Sequence, residues 1–527
     1  MSELTGTGAL VRSILHRDRV RILVWIVGIV GMAVSSAAGV KGIYPTAADL
    51  QRAAALVEGN AAAIAFNGPV QGLETIGGRI AFETGSFTLL LVGLMSLFMV
   101  SRQTRAEEES GRLELIRATV VGRHAPMVAA LLVVAAMNLV VGAAVVVGFF
   151  GLGLPAAGCA AFGVSVSAVG LTFAGITAVS VQVTENARVA SGLAGLIVGA
   201  AFVLRAVGDI GDGTLSWLSP IGWGQKMRPF ADDEWWPLVV PALVLAGCLW
   251  LAAALASHRD LGAGLVQPRR GPAAASLLLG SPLGLAVRLQ RGALVAWASG
   301  VFVLGAVYGS VANDVEEFIG DLDDSVRELL ARSGANLVDS FFGTTVLILA
   351  LVGSGFTLQS VQRLRGEENA LHAETILATP VSRRRWVASH LAVTLGGALL
   401  VLGAGGLGLG LAYALTIGDP GVVPRRIGDA VAYLPAVGLM AGLGLALFGL
   451  VPRAVAALWG LLVLSFVIGF FGEVLDLPSW ARGISPYEHT PLVPAEQFTG
   501  LPLVVMTGLA LAIGTAGLWG FRTRDIG

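Results

Sequence analysis

Residues 126–150 read PMVAALLVVAAMNLVVGAAVVVGFF, 151–155 read GLGLP, and 156–181 read AAGCAAFGVSVSAVGLTFAGITAVSV, without one charged side chain throughout. A helix rises 1.5 Å per residue, so about 20 apolar residues cross the hydrocarbon core of a bilayer. The stretch is long enough for two crossings, and the glycine- and proline-bearing GLGLP divides them. Nothing in it alternates as a half-buried strand would. It therefore reads as a membrane hairpin of two helices.

The rest of the chain fits that solvent. Of 527 residues, 55% are hydrophobic and 13% charged, whereas a soluble domain carries roughly a quarter charged. The 71 glycines suit close helix approach in lipid. A net charge of −1 offers nothing to nucleic acid. Cys159 and Cys248, both inside apolar runs, read as small buried hydrophobes. The N-terminus is polar for about twenty residues before an apolar run long enough to span, so no cleavable leader is expected. Spans are predicted near 22–41, 84–101, 126–150, 155–181, 189–207 and 237–257, then 293–312, 340–360, 387–416, 428–450, 454–474 and 501–521. The fold class is an all-α membrane protein of about twelve transmembrane helices in two tandem six-helix halves. With the N-terminus inside, 23 of the 34 basic residues fall in inner loops, which puts both termini in the cytoplasm of a bacterial cell. The acidic loop 313–328 and residues 47–58 have helical spacing and read as solvated outer helices. An outer cluster of Asp209, Asp212, Asp232, Asp233 and Glu234 lacks metal-ligand spacing and reads as solvated loop.

The halves repeat each other. Arg19 and Trp25 match Arg291 and Trp297; Arg188 and Gly195 match Arg453 and Gly460; Ser219-Pro220 matches Ser485-Pro486; Arg259-Asp-Leu-Gly matches Arg524-Asp-Ile-Gly. The expected organisation is 1–257 and 283–527 as the two halves, joined by a cytoplasmic linker, 258–282. An even number of spans per half relates them by an axis along the membrane normal.

The most distinctive polar segments join the second and third spans of each half. TRAEEESGRLELIRATVVGR (104–123) and LRGEENALHAETILATPVSR (364–383) share Arg105, Glu107, Glu108, Glu114, Ile116, Ala118, Thr119, Val121 and Arg123 with their counterparts Arg365, Glu367, Glu368, Glu374, Ile376, Ala378, Thr379, Val381 and Arg383. Each reads as a short surface helix, with glutamates at the positive end of its dipole and Leu113, Ile116 and Val120 on one apolar face. Topology alone does not require duplicated glutamates; docking into a groove on a soluble partner does. The first copy has Val120 and Gly122 where the second has Pro380 and Ser382, so the two docking sites are expected to differ.

The pattern E-E-x(5)-E-x-I-x-A-T-x-V-x-R resembles the coupling segment of drug-exporting permeases of the ATP-binding cassette class. The whole chain resembles the fused twelve-span actinobacterial permeases of the tetronasin, polyketide-antibiotic exporter type. The resemblance implies an amphipathic helix before the first span of each half, here 8–20 and 282–292. It implies ATPase subunits bound at the coupling segments, through Glu107, Glu108, Glu114, Arg123, Glu367, Glu368, Glu374 and Arg383. It also implies a substrate path between the halves lined by their second and fifth spans. Candidates there are Phe87, Leu91, Met95, Phe98, Phe202, Phe342, Phe356, Phe466 and Phe470.

Energy must come from elsewhere. Neither lysine, Lys41 in Gly-Val-Lys-Gly nor Lys226 in Gly-Gln-Lys-Met, has phosphate-loop spacing. ATP and Mg are therefore expected on a separate ABC ATPase subunit, two copies, one per half, with no cofactor, metal or catalytic site on this chain. His16, His124, His258, His372, His390 and His489 form no metal-spaced pair. Ionisable residues are scarce within the spans, with Arg205, Asp429 and Glu473 near span ends, which points to lipophilic cargo and away from ion coupling. The alternatives are an ion-coupled secondary carrier of twelve spans and a membrane-embedded enzyme or scaffold.

Overall fold

The computed structural model describes residues 3–57, 61–258, 264–266, 274–320, 337–471 and 477–524. Among them every regular element is helical. The chain divides into two compact units, Met1–Gly271 and Pro272–Gly527, a boundary inside the anticipated linker, whose residues 259–263 and 267–273 lie outside those described.

The first unit carries α1 (Arg19–Ile43), α2 (Ile76–Gln103), α3 (Ala125–Gly151), α4 (Ala156–Val183), α5 (Ala187–Ile210) and α6 (Val239–Ser257). The second carries α7 (Pro282–Gly320), α8 (Leu337–Asn369), α9 (Arg383–Ile417), α10 in two pieces (Val422–Val431 and Leu434–Leu450), α11 (Ala457–Phe471) and α12 (Gly500–Thr523). Eleven of these helices are long and apolar enough to cross a membrane, so the chain is a multi-pass membrane protein. The exception is α11, whose 15 residues extend roughly 22 Å against a hydrocarbon core of about 30 Å. Its anticipated end, 472–474, lies outside the described residues.

The breaks fall where the local chemistry puts them. Between α3 and α4, Gly153 takes a left-handed φ of 82° and Pro155 precedes the new helix. Val451 ends α10, and Pro452 starts a short 3-10 turn. Several spans run longer than their apolar stretches because polar end turns are satisfied inside the bundle. At the start of α2, Arg79 pairs with Glu83 at 2.6 Å and donates to the Ala53 carbonyl. Helix Ala47–Val57 is present as expected, while residues 321–328 of the other acidic segment lie outside the described set.

One expectation fails. In the first unit a separate amphipathic helix, Thr7–Arg17, ends at Asp18, but its counterpart 282–292 is the continuous beginning of α7. By the offset that matches Arg19 to Arg291, Asp18 corresponds to Gln290. Asp18 is a poor helix residue that caps one helix and starts another. Gln290 stays helical and spends its amide across the bundle on Ser360 and His390.

In the first unit α2 and α4 run through the middle, holding Leu89, Val92, Met95, Val166, Val169 and Phe173 in one core. Asn138 of α3 exchanges hydrogen bonds with Ser96 of α2. In the second unit α7 and α9 approach so closely that a Cβ on Gly305 would strike the Gly405 carbonyl, and one on Gly408 the Phe302 carbonyl. That contact is built from small residues, as expected where burial in lipid gives helices no hydrophobic drive to associate.

Candidate functional site

The two segments joining α2 to α3 and α8 to α9 share a left-handed turn, a six-residue helix and the turn after it, and differ at Thr104, where the first breaks from α2. In the first, helix Arg105–Glu109 is followed by Gly111 at φ 73° and helix Arg112–Arg117. In the second, α8 runs on to Asn369, Leu371 takes φ 60°, and helix His372–Leu377 follows. The turn after each short helix repeats bond for bond. The Thr119 and Thr379 hydroxyls donate to the Ile116 and Ile376 carbonyls, each at 2.6 Å. Val121 and Val381 amides return to the Thr119 and Thr379 carbonyls at 2.8 and 2.6 Å. The duplication read from the sequence extends to hydrogen-bond geometry.

The shared charged residues separate into two groups. Glu107, Glu367 and Glu368 are buried, and Glu108 is nearly so, with 11% of its side chain exposed. Glu107 binds Arg17 of the leading helix at 3.0 Å and Arg112 at 3.6 Å. Glu108 pairs with the fully buried Arg105. Glu367 binds Arg363 and His372, both at 3.1 Å. Glu368 binds Arg365 at 2.9 Å and Arg524, at the end of α12, at 2.7 Å. Glu107 and Glu368 thus fasten their segments to other helices of the bundle, Glu367 joins the short helix to α8 through His372, and the Glu108–Arg105 pair lies within one helix. The remaining pair, Glu114 and Glu374, is exposed.

The shared arginines are fasteners too. Arg123 donates to the Ala256 and Ser257 carbonyls at 3.1 and 2.9 Å, at the end of α6. Arg383 donates to the Phe521, Arg522 and Arg524 carbonyls at 3.2, 3.2 and 2.7 Å, at the end of α12. Each satisfies carbonyls that a helix end leaves open and sits at the negative end of its dipole. The anticipated apolar face is also turned: Leu113 is buried and Ile116 half-buried, whereas Val120 is 70% and Leu115 74% exposed. The outward surface is thus Glu114, Leu115, Ala118, Thr119 and Val120, with Glu374, Thr375, Ala378, Thr379 and Pro380 opposite them in the repeat.

Beside the first segment lies a cluster that composition and spacing did not reveal. Asp18 is buried, and it accepts from Gln103 at 2.6 Å, Arg21 at 2.6 Å and Arg102 at 3.1 Å. Burial alone would push its carboxyl up; the hydrogen bonds from Gln103, Arg21 and Arg102 outweigh it and hold the carboxyl well below the usual range. The second unit has a neutral counterpart, in which Gln290, Ser360, Thr394 and His390 form one buried hydrogen-bonded set.

The aromatic candidates do not form one surface within either unit. Met95, Phe342 and Phe356 are fully buried in their own unit's core, because α2 and α8 are its central helices. Phe342 stacks edge-on with Tyr413 at 4.9 Å and lies 4.1 Å beneath the Arg426 guanidinium. Leu91 is half-buried against the first core. Phe87 meets Phe66 at 4.8 Å, and Phe202 underlies Arg205 at 4.5 Å. Phe98, stacked with Trp25, and Phe466 are exposed by 50% and 45%. The side chain of Phe470 lies outside those described.

The outer acidic cluster is also redistributed. Asp209 is not solvated: it is buried against Arg205 at 3.5 Å and accepts from Ser216 at 2.6 Å. Asp232 and Glu234 pair with Arg228, and Asp233 accepts from the Phe230 amide. Among the described residues no group of His, Cys, Asp or Glu could hold a metal ion. A second buried pair, Arg426 and Asp429 at 2.9 Å, stands near the start of α10.

With this geometry in hand, comparison with known proteins is specific. The chain is 38% identical over 530 residues to the "Multidrug efflux system permease protein Rv1217c" of Mycobacterium tuberculosis, covering 100% of this chain and 96% of that protein. The family profile described as "Multidrug efflux system permease Rv1217c, C-terminal domain" matches residues 279–522, which is nearly the whole second unit.

Proposed function

Because the chain belongs to the family of the multidrug efflux system permease Rv1217c, we propose that it is the membrane subunit of an ATP-driven exporter of the ATP-binding cassette class. It moves hydrophobic drugs, antibiotics of the polyketide type or lipid-like compounds out of a bacterial cell. ATP and Mg are bound and hydrolysed by separate ATPase subunits, two copies, one on each coupling segment. The segments and both termini then face the cytoplasm.

The observation that supports the reading is the pair of repeated segments, with matching turns, each tied to its bundle by a buried carboxylate and each presenting one exposed glutamate outward. Rigid anchoring with a small exposed patch is what transmission from a docked motor demands. An ion-coupled carrier would need a titratable carboxylate within its spans; Asp209 and Asp429, near span ends, are each matched by an arginine on the same helix.

The test is the double variant Glu114→Ala with Glu374→Ala. Both side chains are exposed, so the fold should persist, while co-purification of the ATPase and drug-stimulated hydrolysis should fall. Unchanged co-purification and unchanged stimulation would remove the reading.

A further inference from the structure

The two segments share these turns but not an environment. In the second, Glu374, Leu377, Ala378, Val381, Ser382 and Arg383 line an open hollow, and Ser382 is exposed. In the first, the equivalent Gly122 is buried, because the chain's own N-terminus lies on it. The Gly122 amide donates to the Thr5 carbonyl at 2.9 Å and the His124 amide to the Glu3 carbonyl at 3.1 Å. Glu3 reaches His124 at 3.5 Å, and Gly6 packs on Val121. A Cβ on Gly122 would collide with the Glu3 carbonyl, so glycine here accommodates the tail. The departure of Gly122 from Ser382, noted as a mark of unequal sites, thereby acquires a cause.

The corresponding stretch of the second unit behaves otherwise. Offset by 272, residues 3–6 correspond to 275–278. There Ser276 to Gly280 turn as a short 3-10 helix onto the beginning of α7, with Leu278 against Gly284. Among the described residues, no backbone hydrogen bond joins 274–281 to 381–384.

We propose that residues 3–6 are a built-in plug of the first coupling hollow, so that the ATPase subunit docks first and more tightly on the second unit, and on the first only after displacing the tail. The proposal rests on the exporter reading and adds an order of assembly to it. Displacing two backbone hydrogen bonds should weaken the first site by about thirtyfold, taking each as a typical net contribution.

Two variants of the full chain test this. Deleting residues 2–5 removes the plug. Gly122→Ser expels it with the residue that the second unit already tolerates at that position. Hydrogen exchange reads the plug directly: the backbone amides of residues 122 and 124, bonded to the Thr5 and Glu3 carbonyls, should be protected in the unaltered chain. The deletion or Gly122→Ser should release that protection. Titration of the co-purifying ATPase onto the detergent-solubilised chain should show two affinities about thirtyfold apart, merging to one in either plug variant. Exchange at 122 and 124 that neither variant changes, or two equal sites before any deletion, overturns the plug. Intact protection at 122 and 124 with no ATPase bound to either unit fails the exporter reading, and with it the docking order.

Discussion

Arg383 stands in a segment whose pattern suggests contact with a partner, yet its guanidinium is turned to the end of α12. One nitrogen faces three carbonyls, those of Phe521, Arg522 and Arg524 at 3.2, 3.2 and 2.7 Å. That nitrogen has two hydrogens, so at most two full bonds form. A hydrogen bond to a charged group contributes about 1.5–3 kcal/mol when sheltered, and a cation at a helix C-terminus adds about 0.3–1 kcal/mol. Arg383 is half-exposed, so screening draws the total to the lower end, about 2 kcal/mol. Arg383→Ala should therefore lower unfolding stability in detergent by about 2 kcal/mol. Glu374→Ala, exposed on the same segment, should leave stability within about 0.5 kcal/mol. Arg383→Lys should recover only part, because an ammonium lacks the planar fork that reaches several acceptors. The assay is equilibrium unfolding followed by tryptophan fluorescence. Wild-type stability in Arg383→Ala, or full recovery with lysine, would refute the assignment of Arg383 to the α12 terminus.

Leu371 holds a left-handed backbone that costs a non-glycine residue about 1 kcal/mol, and it is 60% exposed, so Leu371→Gly should stabilise by about that amount in the same assay while Gly111→Leu destabilises. Asp18 has its folded pKa depressed below the ordinary carboxylate value of 3.8 by the hydrogen bonds that outweigh its burial, so its contribution is present above about pH 4 and disappears as pH falls below that; Asp18→Asn should flatten the acid limb of a stability–pH profile measured from pH 7 down to pH 3. In the buried Arg205–Asp209 pair, Asp209→Ala alone should cost about 3–5 kcal/mol, whereas Arg205→Met with Asp209→Leu should cost far less, a contrast that a double-mutant cycle measures directly.

The helices were legible because length and apolarity decide membrane crossing almost alone, as 126–181 illustrates. Their ends were less so. Arg79 and Glu83 look like loop residues until their partners in the bundle are known, and α7 was expected as two helices because the family resemblance implies a separate amphipathic helix where Arg288 and Arg291 precede the apolar run. The coupling segments were legible as a repeat, down to the threonines whose hydroxyls close identical turns. Which shared residues point outward was not legible, since direction is fixed by partners far along the chain: Arg17 for Glu107, and Arg524 for Glu368. The motif Arg524-Asp-Ile-Gly had signalled a repeat without a role. Its arginine proves to be half of a clamp. Which aromatic candidates are buried was not legible for a related reason, because periodicity on an apolar helix does not say which side meets its own bundle.

The clamps differ between halves in a way that matters for transmission. In the first unit, Glu107 ties the coupling segment to the leading helix through Arg17, and Asp18 gathers Arg21, Arg102 and Gln103 at the junction of that helix with α1 and α2. In the second, the leading helix is continuous with α7; Arg383 ties the segment to the end of α12 as Arg123 ties the first to the end of α6, and Glu368 adds an ion pair there with Arg524. Buried ion pairs that lose one partner are costly, so each clamp moves as a unit with the helix it holds. On the exporter reading, a push on the first segment is delivered to the leading helix, α1 and the end of α6, and a push on the second to the end of α12 alone. Two motors docked on these patches would then share the terminal helix of each unit and differ in the leading helix. Removing Arg524 should uncouple only the second motor, leaving hydrolysis stimulated by drug at about half of the full amplitude if the two sites contribute equally, and removing Arg17 should act only on the first. Equal loss at both sites from either change would show that the clamps are structural and that transmission runs through α2 and α8 instead.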